Sequence, residues 1–308
     1  MKIALTGATG LIGIKLCDAL TKEKHRLLIL SRNANGAKNV IKNASGYIEW
    51  DYTKPENWKD ALEGVDAVIH LAGANVFGKR WNESYKKEIF NSRVTSTRNL
   101  AEVLGNLNKR PECFICASAT GFYGNSGNAV IDEQSPNGKD FLAEVCASWE
   151  NESHKVVPHK IRAINIRTGI VLDAEGGALK QMLLPFKFFI GGPIGKGTQW
   201  VPWIHIDDLV NTYLFALHNK SVEGAINAAS PNPVTMNAFA KELGKIMKRP
   251  SLFRVPSLVL KIAVGEGAEA ITASARVIPE KLLAHGFEFK YDELEAALND
   301  LLKKKKGS

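Results

Sequence analysis

The sequence predicts an α/β fold, a doubly wound parallel sheet with helices on both faces, followed by a smaller C-terminal lobe. Three observations carry this. Apolar strand-like runs alternate with helix-length stretches through the first half of the 308 residues. Several of those runs are apolar on both faces, as a sheet covered on both sides requires. The first run ends in a glycine-rich turn that opens a helix.

In chain order, the strand candidates are KIALTG (2–7), RLLILSR (26–32), YIEWD (47–51), AVIHLAG (67–73), CFICASA (113–119) and AINIRTGIVL (163–172). Between them lie a helix over 11–22 after Gly10, a short one over 55–62, a long one over 82–107 with apolar positions at helical spacing, and one over 141–155 after a Gly/Pro/Ser-rich loop (124–138). Beyond residue 174 the pattern changes. Glycine-rich loops (GGALKQM, then GGPIGKG) interrupt it, and a helix over 206–219 and another over 235–248 follow. The segment 250–308 carries Pro250, Pro256 and Pro279 and two further helices. The reading is a core over 1–173 and a smaller substrate-side lobe over 174–308, with one strand and one helix of the lobe returning to the sheet.

Composition narrows the class. Hydrophobic residues make up 45% and charged residues 23%, an ordinary globular balance. No apolar run reaches the length of a membrane span, and the N-terminus lacks the long apolar region of a signal peptide, so a cytoplasmic location is expected. The net charge of +8 owes part of its value to the lysine run 303–306. Without interleaved aromatic and basic residues, that excess reads as a solvated tail plus a pocket for an anionic cofactor, so neither nucleic acid nor membrane is an expected partner. The four cysteines, Cys17, Cys113, Cys116 and Cys146, read as reduced core thiols, and no metal site is expected.

The glycine-rich turn has the spacing G-x-x-G-x-x-G at Gly7, Gly10 and Gly13, between a strand and a helix, the setting of a Rossmann dinucleotide site. Glycines let the backbone approach a pyrophosphate, and the helix start offers it free N–H groups. Contacts are expected from Gly7, Thr9, Gly10, Leu11, Ile12 and Gly13. The second strand ends in Ser31-Arg32 with no acidic residue to take ribose hydroxyls, which points to a 2′-phosphate and so to NADP(H) over NAD(H). Asp51, closing the third strand, either accepts from the adenine amino group or caps the turn before Pro55. Leu71, Ala72 and Gly73 end the fourth strand and let its backbone pass close to the cofactor; His70 before them reads as a packed strand residue.

At this point the chain resembles the extended short-chain dehydrogenase/reductase superfamily, which includes nucleotide-sugar epimerases. It is most similar to an atypical epimerase-like branch with a C-terminal domain of unknown function. The likeness rests on LTGATGLIG, LSR, HLAGANVFGKRW, SRVTSTRNL, SATGFYG, FLAEVCASWE, IRTGIVLDAEGGALKQMLLPF, GGPIGKGTQWVPWIHIDDL, NAASPNPVTMNAFA and RVIPEKLLAHGFEF, which span nearly the whole chain. The resemblance implies catalysis by Ser, Tyr and Lys. Ser118 takes the serine place, but the tyrosine and lysine places fall on Leu142 and Cys146, and no Tyr-x-x-x-Lys occurs anywhere.

It also implies an asparagine where Arg93 stands; Arg93 either faces the cofactor or a substrate anion, or pairs with Glu88 or Glu144. Tyr123 is either a replacement acid or packing, Glu144 and Asp208 are further titratable candidates, and Asp207 reads best as a helix cap. Arg80, Trp81, Trp200, Trp203 and Arg167 are expected to line a pocket for an anionic or polar small molecule, with Val171 near the nicotinamide. Two functions remain open: an NADP(H)-dependent oxidoreductase or epimerase-like enzyme with an altered acid/base set, and a non-catalytic NADP(H)-binding regulator or scaffold. The helices over 82–107 and 141–155 are where such chains pair into homodimers.

Overall fold

The computed structural model describes residues 1–256, 261 and 264–303, so lysines 304–306 of the tail lie outside the described residues. Seven parallel strands form the main sheet: β1 (Lys2–Thr6), β2 (Arg26–Ser31), β3 (Gly46–Glu49), β4 (Ala67–His70), β5 (Cys113–Ala119), β7 (Arg162–Thr168) and β11 (Gly224–Ala228), with β6 (Val130–Ile131), β8 (Ile170–Leu172), β9 (Trp200–Val201) and β10 (Trp203–His205) outside it. The spatial order is β11-β7-β5-β4-β1-β2-β3, every neighbouring pair parallel. The chain thus starts mid-sheet, winds outward, then returns to β1's other side, which opens a crevice at the carboxyl ends of β1 and β4.

Side-chain alternation in the strands decides which helix each face meets. Ile3, Leu5, Leu27, Ile29, Ile69 and Ile115 point into one apolar cluster with α1 (Leu11–Lys22), α2 (Ala34–Val40) and the later helix Ile206–His218. Ala4, Leu28, Leu30, Val68 and Phe114 point into the other, formed with Ser96–Asn106 and Phe141–His154. These strands are buried on both sides, the physical basis of their unbroken apolar runs.

The long helix over 82–107 is resolved into α3 (Glu83–Phe90), a π-helical turn over Asn91–Thr95 and α4 (Ser96–Asn106). Helix α5 covers Phe141–His154, and the Asp140 carboxylate caps it by accepting from Ala143 N at 3.0 Å.

Several elements depart from the sequence reading, among them the segment 250–308, which holds three helices among the described residues (Gly267–Thr272, Glu280–Ala284 and Leu294–Lys303) where two are expected. The run 163–172 is two strands, because beyond Thr168 the chain leaves β11 for Pro202, whose carbonyl accepts from Ile170 N at 2.6 Å; β8 then pairs with β10. GGALKQM is not a loop: its glycines lead into helix α6 (Gly177–Lys187), which buries Leu179, Leu183 and Phe186 at helical spacing. The stretch 55–62 is two short 3-10 turns. Helix α2 went unread in the sequence; Asn33 caps it, accepting from Gly36 N at 2.7 Å.

Helices α7 (Ile206–His218) and α8 (Met236–Met247) flank β11 in sequence, and α7 returns to the main core. A third apolar cluster joins Leu172, Leu179, Leu183, Val201, Trp203, Phe239, Leu243, Leu294 and Leu298. Among the described residues, no helix is long and apolar enough to cross a membrane.

Candidate functional site

The glycine turn after β1 is built so that no side chain fits at two of its positions. Gly7 has φ +69°, and a Cβ there would stand 2.7 Å from the Leu71 carbonyl carbon and 2.8 Å from Ala72 N. A Cβ on Gly13 would meet the carbonyl oxygens of Gly7 and Ala8 at 2.4 and 2.6 Å. The loop therefore seats against the end of β4 while α1 presses against the loop. No side chain caps α1 and its first turn holds no acidic residue, so its leading N–H groups and positive end are available to an anion. Thr9 and Gly10 are exposed, and Leu11 and Ile12 half-exposed, at this opening. Leu11 reaches the start of α6 at Gly176, and Lys15 of α1 pairs with the buried Asp173 at 3.4 Å.

At the end of β2, Arg32 is exposed and makes no ion pair or hydrogen bond among the described residues. The Ser31 hydroxyl donates to Asn33 O at 3.2 Å, inside the turn that starts α2. Asp51 is committed to its own turn: it accepts from Thr53 N at 2.9 Å and from Thr53 Oγ1 at 2.6 Å, bonds that hold its carboxyl below the usual range. Both bonds use Oδ1, and the exposed side chain keeps Oδ2 3.9 Å from Lys54 Nζ.

His70 is fully buried. Its Nδ1 lies 2.6 Å from Thr6 Oγ1 and its Nε2 3.2 Å from Ser96 Oγ, while Ala72 N donates to Thr6 Oγ1 at 3.3 Å. The imidazole thus ties β1, β4 and α4 together behind the crevice. Burial, assisted by the charge of Arg93, holds its pKa down to about 3. Because this lies below the unfolded value of about 6.5, the neutral ring's contribution is complete above that pH and is lost as pH falls toward 3. Stability should therefore fall as the pH is lowered through that window from this group alone. His70→Asn should flatten that part of a plot of urea midpoint against pH; an unchanged slope would assign the loss elsewhere.

A cavity of about 210 Å3 opens at the carboxyl ends of the central strands. Ile12, Leu71, Ser118, Thr168, Leu142, Cys146 and Arg93 are among its lining residues, so Leu142 and Cys146, where the resemblance led to the expectation of tyrosine and lysine, do face it. Cys146 is buried, which pushes its thiol up to about 12 and keeps it protonated. Arg93 rises from the π-helical turn. It donates to Ala74 O at 2.9 Å and Ile89 O at 3.3 Å and lies 5.3 Å from the Trp149 ring centroid. Neither Glu88 nor Glu144 is its partner: Glu88 pairs with Lys79, and Glu144 is exposed. Burial pulls the Arg93 pKa below its ordinary value.

Behind Ser118 lies a feature that sequence reasoning missed. Glu150 is buried and accepts from Ser118 Oγ at 2.7 Å and from Arg167 Nε and Nη2 at 2.9 and 2.8 Å. Leu142, Cys146 and Glu150 are spaced four apart on α5 and share one face. That spacing, continued from Leu142 and Cys146, was the available signal. Arg167, the register partner of Ser118 across β5 and β7, does not face the opening; it is 5% exposed and locked to Glu150. Burial works to lower its pKa, but the hydrogen bonds and charge of Glu150 outweigh that and hold it above its ordinary value.

Tyr123 is likewise packing rather than a replacement acid. Its hydroxyl donates to Asn227 Oδ1 at 2.7 Å and accepts from Arg167 Nη1 at 2.8 Å, and burial pushes its pKa up to about 12.

Other expected pocket residues also move. Trp203 is fully buried in the third apolar cluster, with Phe239, Leu243, Leu294 and Leu298. Trp200 donates from Nε1 to Asn128 Oδ1 at 3.1 Å, under Arg276. Trp81 backs the cavity from outside, packing with Val76 and Leu142 and donating from Nε1 to Val76 O at 2.7 Å; Arg80 beside it is exposed. Val171 packs on the main core. Helix α7 is capped by His205 Nδ1, which accepts from Asp207 N at 3.0 Å, not by Asp207, whose carboxylate pairs with Lys290 at 3.2 Å. Asp208 accepts from Lys290 N and Tyr291 N, both at 2.9 Å.

Comparison with known proteins agrees with this geometry. Residues 3–168 match the NAD dependent epimerase/dehydratase family, and residues 255–301 match a domain of unknown function, DUF1731. The chain is 39% identical over 306 residues to the chloroplastic epimerase family protein SDR39U1 homolog of Arabidopsis thaliana, covering 98% of this chain and 87% of that one. It is 38% identical to epimerase family protein YfhF of Bacillus subtilis (strain 168), covering 99% of each. The crystal structure of human epimerase family protein SDR39U1 (isoform 2) with NADPH superposes with a TM-score of 0.89 at 30% identity, covering 98% of this chain and 99% of that one. UDP-glucuronic acid 4-epimerase from Bacillus cereus, solved with UDP-glucuronic acid and NAD, shares the fold at a TM-score of 0.78 and 19% identity.

Proposed function

The chain belongs to the NAD dependent epimerase/dehydratase family, and from that premise we propose that it is an NADP(H)-dependent oxidoreductase of epimerase-like kind. It acts on a small polar or anionic molecule, whose oxygen Ser118 positions. The observation that carries the cofactor half is Arg32, an exposed cation at the end of β2 without a partner among the described residues, beside a turn that admits no Cβ at Gly7 or Gly13. The crystal structure of the human relative with NADPH supports the same choice.

Gly7, Thr9, Gly10, Leu11, Ile12 and Gly13 would hold the pyrophosphate, Ser31 and Arg32 the 2′-phosphate, and Leu71, Ala72, Gly73 and Arg93 the nicotinamide half. When bound, the cofactor supplies a hydride. Of the chain's own groups, Ser118 positions a substrate oxygen. Its hydrogen is directed to Glu150 in the structure, and the same hydrogen turned to a substrate carbonyl oxygen would steady the charge that develops there as the hydride arrives. Arg167 holds Glu150 in place for that task.

The second reading, an NADP(H)-binding regulator without turnover, draws on Leu142 and the protonated Cys146, which leave the helix face without a proton donor or cation where the resemblance expects both. A screen of NADPH consumption over aldehydes, ketones and sugars separates the two. Turnover lost in Ser118→Ala supports the enzyme, and tight cofactor binding with no turnover of any compound supports the regulator. Arg32→Ala should weaken NADPH binding by about tenfold or more, roughly 1.4 kcal/mol, and spare NADH. Equal losses for both cofactors would remove the phosphate role from Arg32.

A further inference from the structure

The cavity beside Ser118 carries a charge that nothing in it offsets. Glu150 is matched by Arg167 in a two-bond pair, so together they are neutral. The Cys146 thiol is protonated. Arg93 alone remains: its partners are two carbonyl oxygens and the face of Trp149, and no carboxylate among the described residues pairs with it. Its guanidinium also sits against Gly73, where a Cβ would lie 3.1 Å from its central carbon, so the cation is wedged at the end of β4, on the wall of the same cavity as Ser118. A largely buried cation polarises its surroundings far more than one in water.

We propose that Arg93 makes this site selective for the redox state of its cofactor, holding NADPH in preference to NADP+. The inference rests on the proposed cofactor reading, which places the nicotinamide ring in this cavity. The reduced ring is neutral and the oxidised ring carries a full positive charge. Only the oxidised ring is repelled by a fixed guanidinium beside it, in a space too apolar to screen the repulsion. The adenosine half, bound at Arg32 and the glycine turn, is identical in the two forms and does not discriminate. The consequence is directional: the site takes up reduced cofactor and releases the oxidised form readily. The asparagine that the resemblance expects here is neutral and would impose no such bias.

The test is a calorimetric titration of the full chain with NADPH, with NADP+, and with adenosine 2′,5′-bisphosphate, which carries the 2′-phosphate but no nicotinamide. The expected result is NADPH bound about tenfold or more tighter than NADP+, a difference of roughly 1.4 kcal/mol. Arg93→Gln should bring that ratio toward one without changing bisphosphate affinity, and Arg93→Lys should keep it. Equal affinities for NADPH and NADP+ in the unmodified chain would overturn the proposal whether or not the glutamine variant folds. So would a ratio that survives Arg93→Gln. Failure of all three ligands to bind would instead refute the cofactor reading on which it rests.

Discussion

Gly13→Ala should cut NADPH affinity by about 100-fold, equivalent to roughly 2.7 kcal/mol, although the new methyl group touches no cofactor atom in the proposed mode. The reason is the position of the atoms that the Cβ would meet. The carbonyl oxygens of Gly7 and Ala8, at 2.4 and 2.6 Å, are backbone and cannot rotate away. Helix α1 must tilt off the turn, and the N–H groups at its start then lose their aim at the pyrophosphate. The fold should survive, because Leu16, Cys17 and Leu20 still anchor the rest of α1 in the core, at an overpacking cost of about 1–3 kcal/mol. Calorimetric titration gives the binding loss and urea unfolding the stability loss. Near-normal NADPH affinity in this variant would mean that the turn is not the pyrophosphate site.

The largest effect on stability is expected at Glu150. Truncation to Ala leaves Arg167 inside the protein with its two strongest acceptors removed, and should cost about 3–5 kcal/mol. Arg167→Met should cost a comparable amount, because it strands the Glu150 carboxylate. The double variant Glu150→Leu/Arg167→Met should recover most of the loss, since two apolar groups of similar length leave no unpaired charge. It should nevertheless lose any turnover, because Ser118 would have no acceptor behind it. Additive losses in the double variant, read from urea midpoints, would show that the two residues act independently and that the pair is not a unit.

These two sites differ in how far the sequence reveals them. The glycine turn is local: strand, turn and helix follow one another within 22 residues, and the spacing alone carries the geometry. The parallel sheet was legible for a related reason, since β1, β2, β4 and β5 are apolar on alternate residues facing two separate clusters and so read as unbroken runs. Glu150 lies 32 residues from Ser118 and 17 from Arg167, and in a helix sequence such as ASWENES it looks like any solvated acid.

Arg167 shows a second limit. Its register beside Ser118 follows from two parallel strands, but only the packed structure shows that the guanidinium turns inward to Glu150 and Tyr123 rather than toward the opening. Trp203 belongs to the same class, since a tryptophan suits a pocket wall and a core equally and only the cluster around it decides. The glycines before α6 misled for the opposite reason. They mark the start of a helix whose apolar residues, Leu179, Leu183 and Phe186, recur at helical spacing immediately afterwards.

In the proposed mode, the exposed Arg32 and the closed glycine turn together form a site for a 2′-phosphorylated dinucleotide. The measurement that tests it most directly is the dissociation constant of the unmodified chain for NADPH and for NADH under the same conditions. Saturable one-to-one binding of NADPH is expected, with NADH weaker by about tenfold or more, the worth of one charge-assisted phosphate contact. NADH bound as tightly as NADPH, or no binding of either, would contradict it.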